Sequence, residues 1–500
     1  MAPASGDLRF GTPAGRWVIA ATVLGSGIAF LDGTIVNVAL PAIGRALKTD
    51  VAGLQWTVDA YLVFLTALLL FGGALGDRFG RRRVFVVGLV SFTAASVACA
   101  VAPDATALAI SRAVQGAAGA LLVPGSLAII GSAFHDSDRG RAIGAWSGLG
   151  GVATAAGPLL GGYLIAAASW RWIFLINIPV GALVLLLSVR HVPESRDPTA
   201  GRGVDVPGAV LATAALGGIT FGLIEGPARG WGSAPAPALA LVAGAVCAAA
   251  FVAIERRSRS PMLPLAVFRS RQFTVTNAVT FIVYAALGGA LFLLPVELQV
   301  VDGYTPLESG VALLPLTVVM LLLSARSGRL ASRIGPRLQM SVGPVVVGGG
   351  LALLARSTTD PSYPSGVLPA VLVFGLGLAI TVAPLTTTAL GAVPDEHAGL
   401  ASAVNNDVAR VGSLIAVAVL PALAGISGSS YLHPAQLASG FRTAVLIAAV
   451  MCAAGGVIAA IGIRNPAPGP VPEPERVECL HCALDATPVA TDAASLATGA

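Results

Sequence analysis

The sequence predicts an all-α polytopic membrane protein in which two bundles of six helices flank an inserted pair, fourteen membrane spans in all. Three observations carry that expectation. The 500 residues are 55% hydrophobic and 11% charged, too little polar surface to coat a water-soluble domain. Fourteen apolar windows reach the ~20 residues needed to cross about 30 Å of hydrocarbon. A short charged turn near residue 80 has a degenerate echo near residue 335, as a duplicated half would leave.

The windows cover residues 17–40, 53–76, 82–102, 105–132, 141–167, 171–192, 207–226, 237–255, 273–297, 307–327, 337–356, 366–390, 402–424 and 440–463. Arg9 and Arg16 precede the first, which is too long for the core of a cleaved signal peptide and reads as a retained helix. The fifth is rich in Gly and Ala; the thirteenth contains Asp407 and Arg410. Polar stretches at 193–206 and 256–272 bracket the seventh and eighth, which marks those two as the insertion. The expected organisation is an N-terminal segment 1–16, a first bundle 17–192, a linker 193–272 with two extra spans, a second bundle 273–463, and a tail 464–500. That tail is rich in Pro, Ala and Thr and reads as disordered.

Orientation follows from the basic residues. If the N-terminus is inside, Arg9, Arg16, Arg78, Arg81, Arg82, Arg83, Arg139, Arg141, Arg190, Arg202, Arg259, Arg326, Arg333, Arg337 and Arg476 all fall on the inner side, so both termini are expected in the cytoplasm of a cell-membrane protein.

Several function classes are excluded. A formal charge of +5 over this length disfavours nucleic acid as a partner. Lys48 is the sole lysine and stands outside any phosphate-cradling loop, so energy must come from elsewhere, most simply an ion gradient. The five histidines are scattered and no nucleophile has a base beside it, so neither an enzyme nor a cofactor is expected. Cys99, Cys247 and Cys452 lie in apolar segments; Cys479-Leu480-His481-Cys482 lacks a second ligand pair, so no metal site is expected.

The charged turn runs Gly73-Ala74-Leu75-Gly76-Asp77-Arg78-Phe79-Gly80-Arg81-Arg82. Asp77, at the inner end of a helix, is suited to pair with Arg78 or a neighbouring basic group and to accept helix N-terminal amides, latching the inner face. Gly328-Arg329-Leu330-Ala331-Ser332-Arg333-Ile334-Gly335-Pro336-Arg337 repeats the pattern in register with Ser332 for the aspartate. Pro124 and Pro384 also fall at nearly matching places, as do Gly140 and Gly399.

Buried ionisable groups are the sharpest candidates for function, because a charge inside a span is costly unless it faces a partner or a cavity. Asp32 lies roughly 22 Å along its helix from the inner end at about 1.5 Å per residue. Asp59 and Arg112 enter from the outside to a similar depth, so the three are expected to form one charged cluster that exchanges a proton. Asp407 and Arg410 fall on one helical face and are expected to pair locally, with Asn405 beside them. Glu225 and Glu297 come at outer helix ends, where interfacial solvation is expected.

The turn from Gly73 to Arg82 resembles the signature loop of the major facilitator superfamily. Leu31-Asp32-Gly33-Thr34-Ile35-Val36-Asn37-Val38-Ala39-Leu40-Pro41 resembles the first-helix motif of its fourteen-helix drug:proton antiporters. Arg112-Ala113-Val114-Gln115-Gly116 resembles their fourth-helix motif, and Gly151 to Gly162, with Gly157-Pro158 and Gly161, resembles the fifth-helix motif associated with export. The resemblance implies a monomeric exporter of hydrophobic or amphipathic drugs or antibiotics, driven by protons through alternating access. The residues expected to form the proton and substrate cavity are Asp32, Asn37, Asp59, Arg112, Gln115, Asn405 and Asp407, and those expected to gate are Gly73, Asp77, Arg78, Gly80 and Arg82. The same fold also serves uptake permeases, lipid translocators and sensors.

Overall fold

The computed structural model describes residues 6, 8–197, 204–232, 235–258, 261–357, 362–394 and 398–465. The tail beyond 465, with Arg476, Cys479 and Cys482, lies outside the described residues, as do Arg202 and Arg259.

Among the described residues, fourteen helices are long and apolar enough to cross a membrane: α1 (Pro13–Leu47), α2 (Val51–Phe79), α3 (Arg81–Ala100), α4 (Ala105–Ala133), α5 (Asp136–Ala167), α6 (Trp172–His191), α7 (Val206–Arg229), α8 (Ala236–Glu255), α9 (Arg271–Val300), α10 (Pro306–Ile334), α11 (Pro336–Leu354), α12 (Tyr363–Leu390), α13 (Gly399–Leu423) and α14 (Pro434–Gly462). Each coincides with an expected window and most extend beyond it, because hydropathy marks the apolar middle and misses the polar caps. The Thr12 side chain accepts from Gly15 N to start α1, and Asp50 and Asp104 do the same for α2 and α4. A reciprocal capping box between Thr305 and Glu308 starts α10.

The duplication read from the charged turns is visible in the packing. Helix α1 packs on α5 and α6, α2 on α4, and α3 on α4 and α6; in the second half α9 packs on α13 and α14, α10 on α12, and α11 on α12 and α14. Gly80 (φ 110°) separates α2 from α3, and Gly335 (φ 83°) separates α10 from α11. Both turns need a backbone region that side chains disfavour, which is why the echo keeps its glycine while losing its aspartate.

The halves meet at the end of the molecule opposite these two turns. There Gln55 Nε2 donates to the carbonyls of Val417 (2.7 Å) and Ala418 (3.0 Å), and Gln299 Nε2 to that of Val38 (2.9 Å). Tyr431 OH donates to Thr49 O at 2.8 Å, and Val51 N to Gly428 O at 3.0 Å. Helix α5 closes on the start of α10: Gly162 lies against Pro306 and Leu307, and Gly310 against the Pro158 carbonyl. Among the described residues, every hydrogen bond between the halves lies at this end. The opposite end carries a cavity of about 250 Å³ lined by Arg326, Arg329, Leu330 and Arg333.

The inserted helices α7 and α8 pack on each other, and α7 seats against α2 and α13.

Candidate functional site

Asp32 of α1 and Arg112 of α4 are both buried. They form an ion pair between Arg112 Nη1 and Asp32 Oδ2. The same Nη1 donates to Gln115 Oε1 (2.7 Å), and Arg112 Nε donates to the Thr57 carbonyl of α2 (3.0 Å). The guanidinium lies 4.3 Å from the Tyr61 ring centroid and 5.8 Å from that of Phe174, close enough for attraction to both ring faces.

The second carboxylate oxygen is equally engaged. Asp32 Oδ1 accepts from Gln115 Nε2 (2.9 Å) and from Asn177 Nδ2 of α6 (3.4 Å). Both amides also donate to Ser96 Oγ of α3, at 2.9 and 3.1 Å. Five helices thus converge on one carboxylate. In so dry a place each charge is tolerable only because the other is present and the remaining donors and acceptors are paired.

The structure brings Asp32, Arg112 and Gln115 of the expected set together, and adds Thr57, Tyr61, Ser96 and Asn177, which the sequence did not single out. Asn177 carried a signal, being a lone amide in an apolar run. Ser96 carried none, since serines that only bond their own helix look the same in sequence.

Other expected members stand apart. Asp59 is fully buried, but neither carboxylate oxygen has a hydrogen-bond partner and it joins no ion pair, so the three-charge cluster is a two-charge pair. The reason is helical phase. Thr57 and Tyr61 turn towards Arg112, whereas Asp59 shares a stripe with Ala52 and Trp56 facing other helices. Asn37 is also separate, its Oδ1 buried without a partner. Asn405 belongs to a different polar group, donating to Asn277 Oδ1 (3.1 Å) and Thr280 Oγ1 (2.8 Å) of α9. Asp407 and Arg410 do not form the expected local ion pair, and Asp407 Oδ1 has no partner.

Glu225 accepts from Trp56 Nε1 (2.9 Å) and pairs with Arg229 (2.6 Å). Glu297 corrects the expectation of solvation: it is fully buried and neither oxygen is hydrogen bonded, because the end of α9 is covered where the halves meet. Beyond it, Asp302, Tyr304, Glu308 and Tyr363 line a cavity of about 590 Å³.

In the charged turn, Asp77 Oδ1 accepts from Arg81 Nε (2.9 Å) and Nη2 (2.8 Å), while Arg78 stacks on the Phe79 ring at 5.0 Å. The helix N-terminal amide role falls to Glu194 instead, which accepts from Arg82 N at 3.1 Å and lies 3.8 Å from both Arg82 Nε and Arg83 Nε. Arg82 Nη1 also donates to the Val192 carbonyl (3.1 Å), and Arg81 N to that of Ser195 (3.0 Å). The segment after α6 therefore straps the turn. A side chain at Gly80 would come within 2.7 Å of Glu194 Oε1. Gly73 has only ordinary contact with Pro124 at 3.6 Å; the close approach belongs to Gly72, set against the Ala120 carbonyl.

Helix α5 shows the same selectivity. Gly157 abuts Thr34, and a Cβ at Gly161 would lie 2.7 Å from Ile35 Cγ1, whereas Gly151 faces open space. Pro158 lies inside α5, and its carbonyl receives Gly310.

Comparison with known proteins agrees with this architecture. The sequence model of the Major Facilitator Superfamily matches residues 22–417. The chain is 38% identical over 415 residues to the multidrug resistance protein Stp of Mycobacterium tuberculosis, covering 83% of this chain and 76% of that one. It is 37% identical over 408 residues to the tetracenomycin C resistance and export protein of Streptomyces glaucescens (81% and 74% covered), and 34% identical over 430 to the methylenomycin A resistance protein of Bacillus subtilis (85% and 91%). In fold it resembles a bacterial homolog of the human lysosomal transporter Spinster, solved inward-facing and unoccupied, with TM-score 0.64, 16% identity and coverage of 90% of this chain and 97% of that one. By sequence and by fold, the chain belongs to the major facilitator superfamily.

Proposed function

We propose that this protein exports hydrophobic or amphipathic drug-like compounds, antibiotics among them, across the cell membrane in exchange for protons. The observation that carries the reading is the buried Asp32–Arg112 pair, a titratable carboxylate whose charge holds two helices together. Protonation of Asp32 releases Arg112, and restoring the pair expels the proton. Coupling follows if the two events take place with the cavity open to opposite sides. Asp407 and Asn405 of α13, with Asn37 of α1, are the polar groups assigned to the substrate path. The resistance and export names of the relatives support drug-like cargo.

The orientation belongs to the same reading. With both termini cytoplasmic, the Gly80 and Gly335 turns face the cytoplasm, and the hydrogen-bonded end is the outer gate. Residues 17–192 and 273–463 then act as the two rocking bundles, joined by the linker 193–272, in a monomer that works by transport and not by covalent chemistry. Asp77, Arg78, Gly80 and Arg82 form the inner gate, strapped by Glu194.

The test is proteoliposomes loaded with a pH-sensitive dye and given ethidium, puromycin or tetracenomycin under an imposed proton gradient. Substrate-dependent proton movement, lost in Asp32→Asn, is the expected result. No such movement with any compound that accumulates less in cells making the protein would overturn proton antiport; substrate gain by those cells would favour uptake.

A further inference from the structure

The second copy of the charged turn, Gly328 to Arg337, takes part in neither the Asp32–Arg112 pair nor the Asp77 turn. Laid on the first copy in register, it differs in charge. Ser332 stands in the place of Asp77, and Arg326 and Arg329 stand where the first half has Phe71 and Ala74. The first copy answers its arginines with carboxylates: Arg81 pairs with Asp77, and Arg82 and Arg83 approach Glu194. From Ser309 to Arg337 the chain has four arginines and no acidic residue.

Spacing gathers three of these arginines on one side of α10. Residues 318, 322, 326, 329 and 333 follow one another at helical intervals and so share a face. Arg326, Arg329 and Arg333 are exposed, and with Leu330 they line the cavity of about 250 Å³ at the end away from where the halves meet. The opposite face of the helix is seated: Ser327 Oγ donates to the Ile380 carbonyl of α12 at 3.2 Å, and Ala331 is buried. Arg326 Nη1 donates to the Leu322 carbonyl of its own helix at 2.8 Å, which leaves most of its guanidinium open. Among the described residues, Arg329 and Arg333 have neither an ion pair nor a side-chain hydrogen bond.

Like charges one turn apart on a helix repel, and an anion shared between them removes that cost. The guanidinium fork fits the oxygens of a phosphate group, two donors to two acceptors. The cavity is smaller than the roughly 300–1,000 Å³ that takes a drug-sized molecule, so it suits a headgroup and not the whole cargo. Along the same stripe, one and two turns before Arg326, Leu322 and Val318 are exposed. An apolar strip leading into a cationic cavity has the polarity profile of a phospholipid, chain first and phosphate last. A free anion would leave the strip without a role.

We propose that this face of α10 binds an anionic phospholipid, with the phosphate held by Arg326, Arg329 and Arg333 and an acyl chain lying along Val318 and Leu322. The lipid then supplies to the second copy of the turn the negative charge that Asp77 and Glu194 supply to the first. The site does not depend on the direction of transport, on proton coupling or on which side of the membrane the turns face.

Native mass spectrometry of the full-length protein, titrated in detergent with phosphatidylglycerol or phosphatidylcholine, tests this without a transport measurement. Both lipids carry a phosphate, but choline cancels its charge in the second. The parent should bind phosphatidylglycerol about tenfold or more tightly than phosphatidylcholine. Arg329→Gln and Arg333→Gln should each weaken phosphatidylglycerol about fivefold, as loss of one arginine at an anionic surface implies, and the double variant more. Arg442→Gln removes an exposed arginine from α14 and should leave binding unchanged. Equal affinity of the parent for the two lipids, undiminished phosphatidylglycerol binding by the double variant, or an equal loss in Arg442→Gln would overturn the site. Displacement of phosphatidylglycerol by millimolar inorganic phosphate would mark a free-anion site and overturn the lipid assignment. Where the double variant does not fold, the two single variants decide.

Discussion

Arg112 holds Asp32 with a guanidinium that also grips Thr57 and Gln115, so one side chain ties α4 to both α1 and α2. Removing either charge strands the other in a dry site, at a cost of about 3–5 kcal/mol, while removing both costs far less. Asp32→Asn and Arg112→Gln should each lower the melting temperature of the detergent-solubilised protein clearly. The double variant should recover most of that loss and still fail to transport. Equal melting of the parent and both single variants would show that the pair does not hold the helices.

All fourteen helices were legible in the sequence because the bilayer demands a long apolar run from every one of them. The central pair was legible too, since charges in apolar runs are rare enough to stand out. What the sequence hid was phase: whether Asp59 turns towards Arg112 or away depends on which face α2 gives to α4, and apolar residues surround every face. Ser96 and Glu194 were invisible for a related reason. Each acts through a tertiary contact with a helix distant in sequence.

The glycines of α5 divide into those that touch and those that do not. Gly157 abuts Thr34 and Gly161 abuts Ile35, so Gly157→Ala and Gly161→Ala should each force a backbone shift costing about 1–3 kcal/mol. Gly151→Ala meets open space and should match the parent. Melting temperature and dye export measured on the three variants check the order; a Gly151→Ala protein as impaired as Gly157→Ala would refute it.

Asp77 and Arg81 are partly exposed, so their pair is worth at most about 1 kcal/mol to stability. Asp77→Asn should therefore melt close to the parent. Its transport should fall severalfold, because Arg81 is freed next to the strap that Glu194 makes with Arg82 and Arg83. Glu194→Gln should show the same combination. A large drop in melting temperature for either variant would make the turn a structural element and not a gate.

Asp302 lies between α9 and α10, and burial pushes its carboxyl up to about 6. The folded protein then binds this proton more tightly than the unfolded chain, whose aspartates titrate near about 4. The resulting stabilisation is complete below about 4 and is lost as pH rises through about 6. Melting temperatures of the parent should fall across that window relative to Asp302→Asn, which has no proton to lose. Parallel curves for the two proteins would remove Asp302 as the cause.

Gly162 and Gly310 set how closely α5 and α10 close the end where the halves meet. A methyl group at Gly162 meets the Pro306 carbonyl and comes within 2.7 Å of Leu307 Cα, and neither backbone atom can rotate aside. Strain of about 1–3 kcal/mol confined to the closed state shifts its equilibrium with the open one by roughly fivefold to 150-fold. Gly162→Ala should therefore favour opening at that end without unfolding the halves. With the native cysteines replaced by serine, a cysteine at Val38, which is fully buried beside Gln299, reports the change. A membrane-impermeant maleimide should label it faster in the Gly162→Ala background. Unchanged labelling would mean that α5 and α10 yield together and that the glycine contact does not govern the gate.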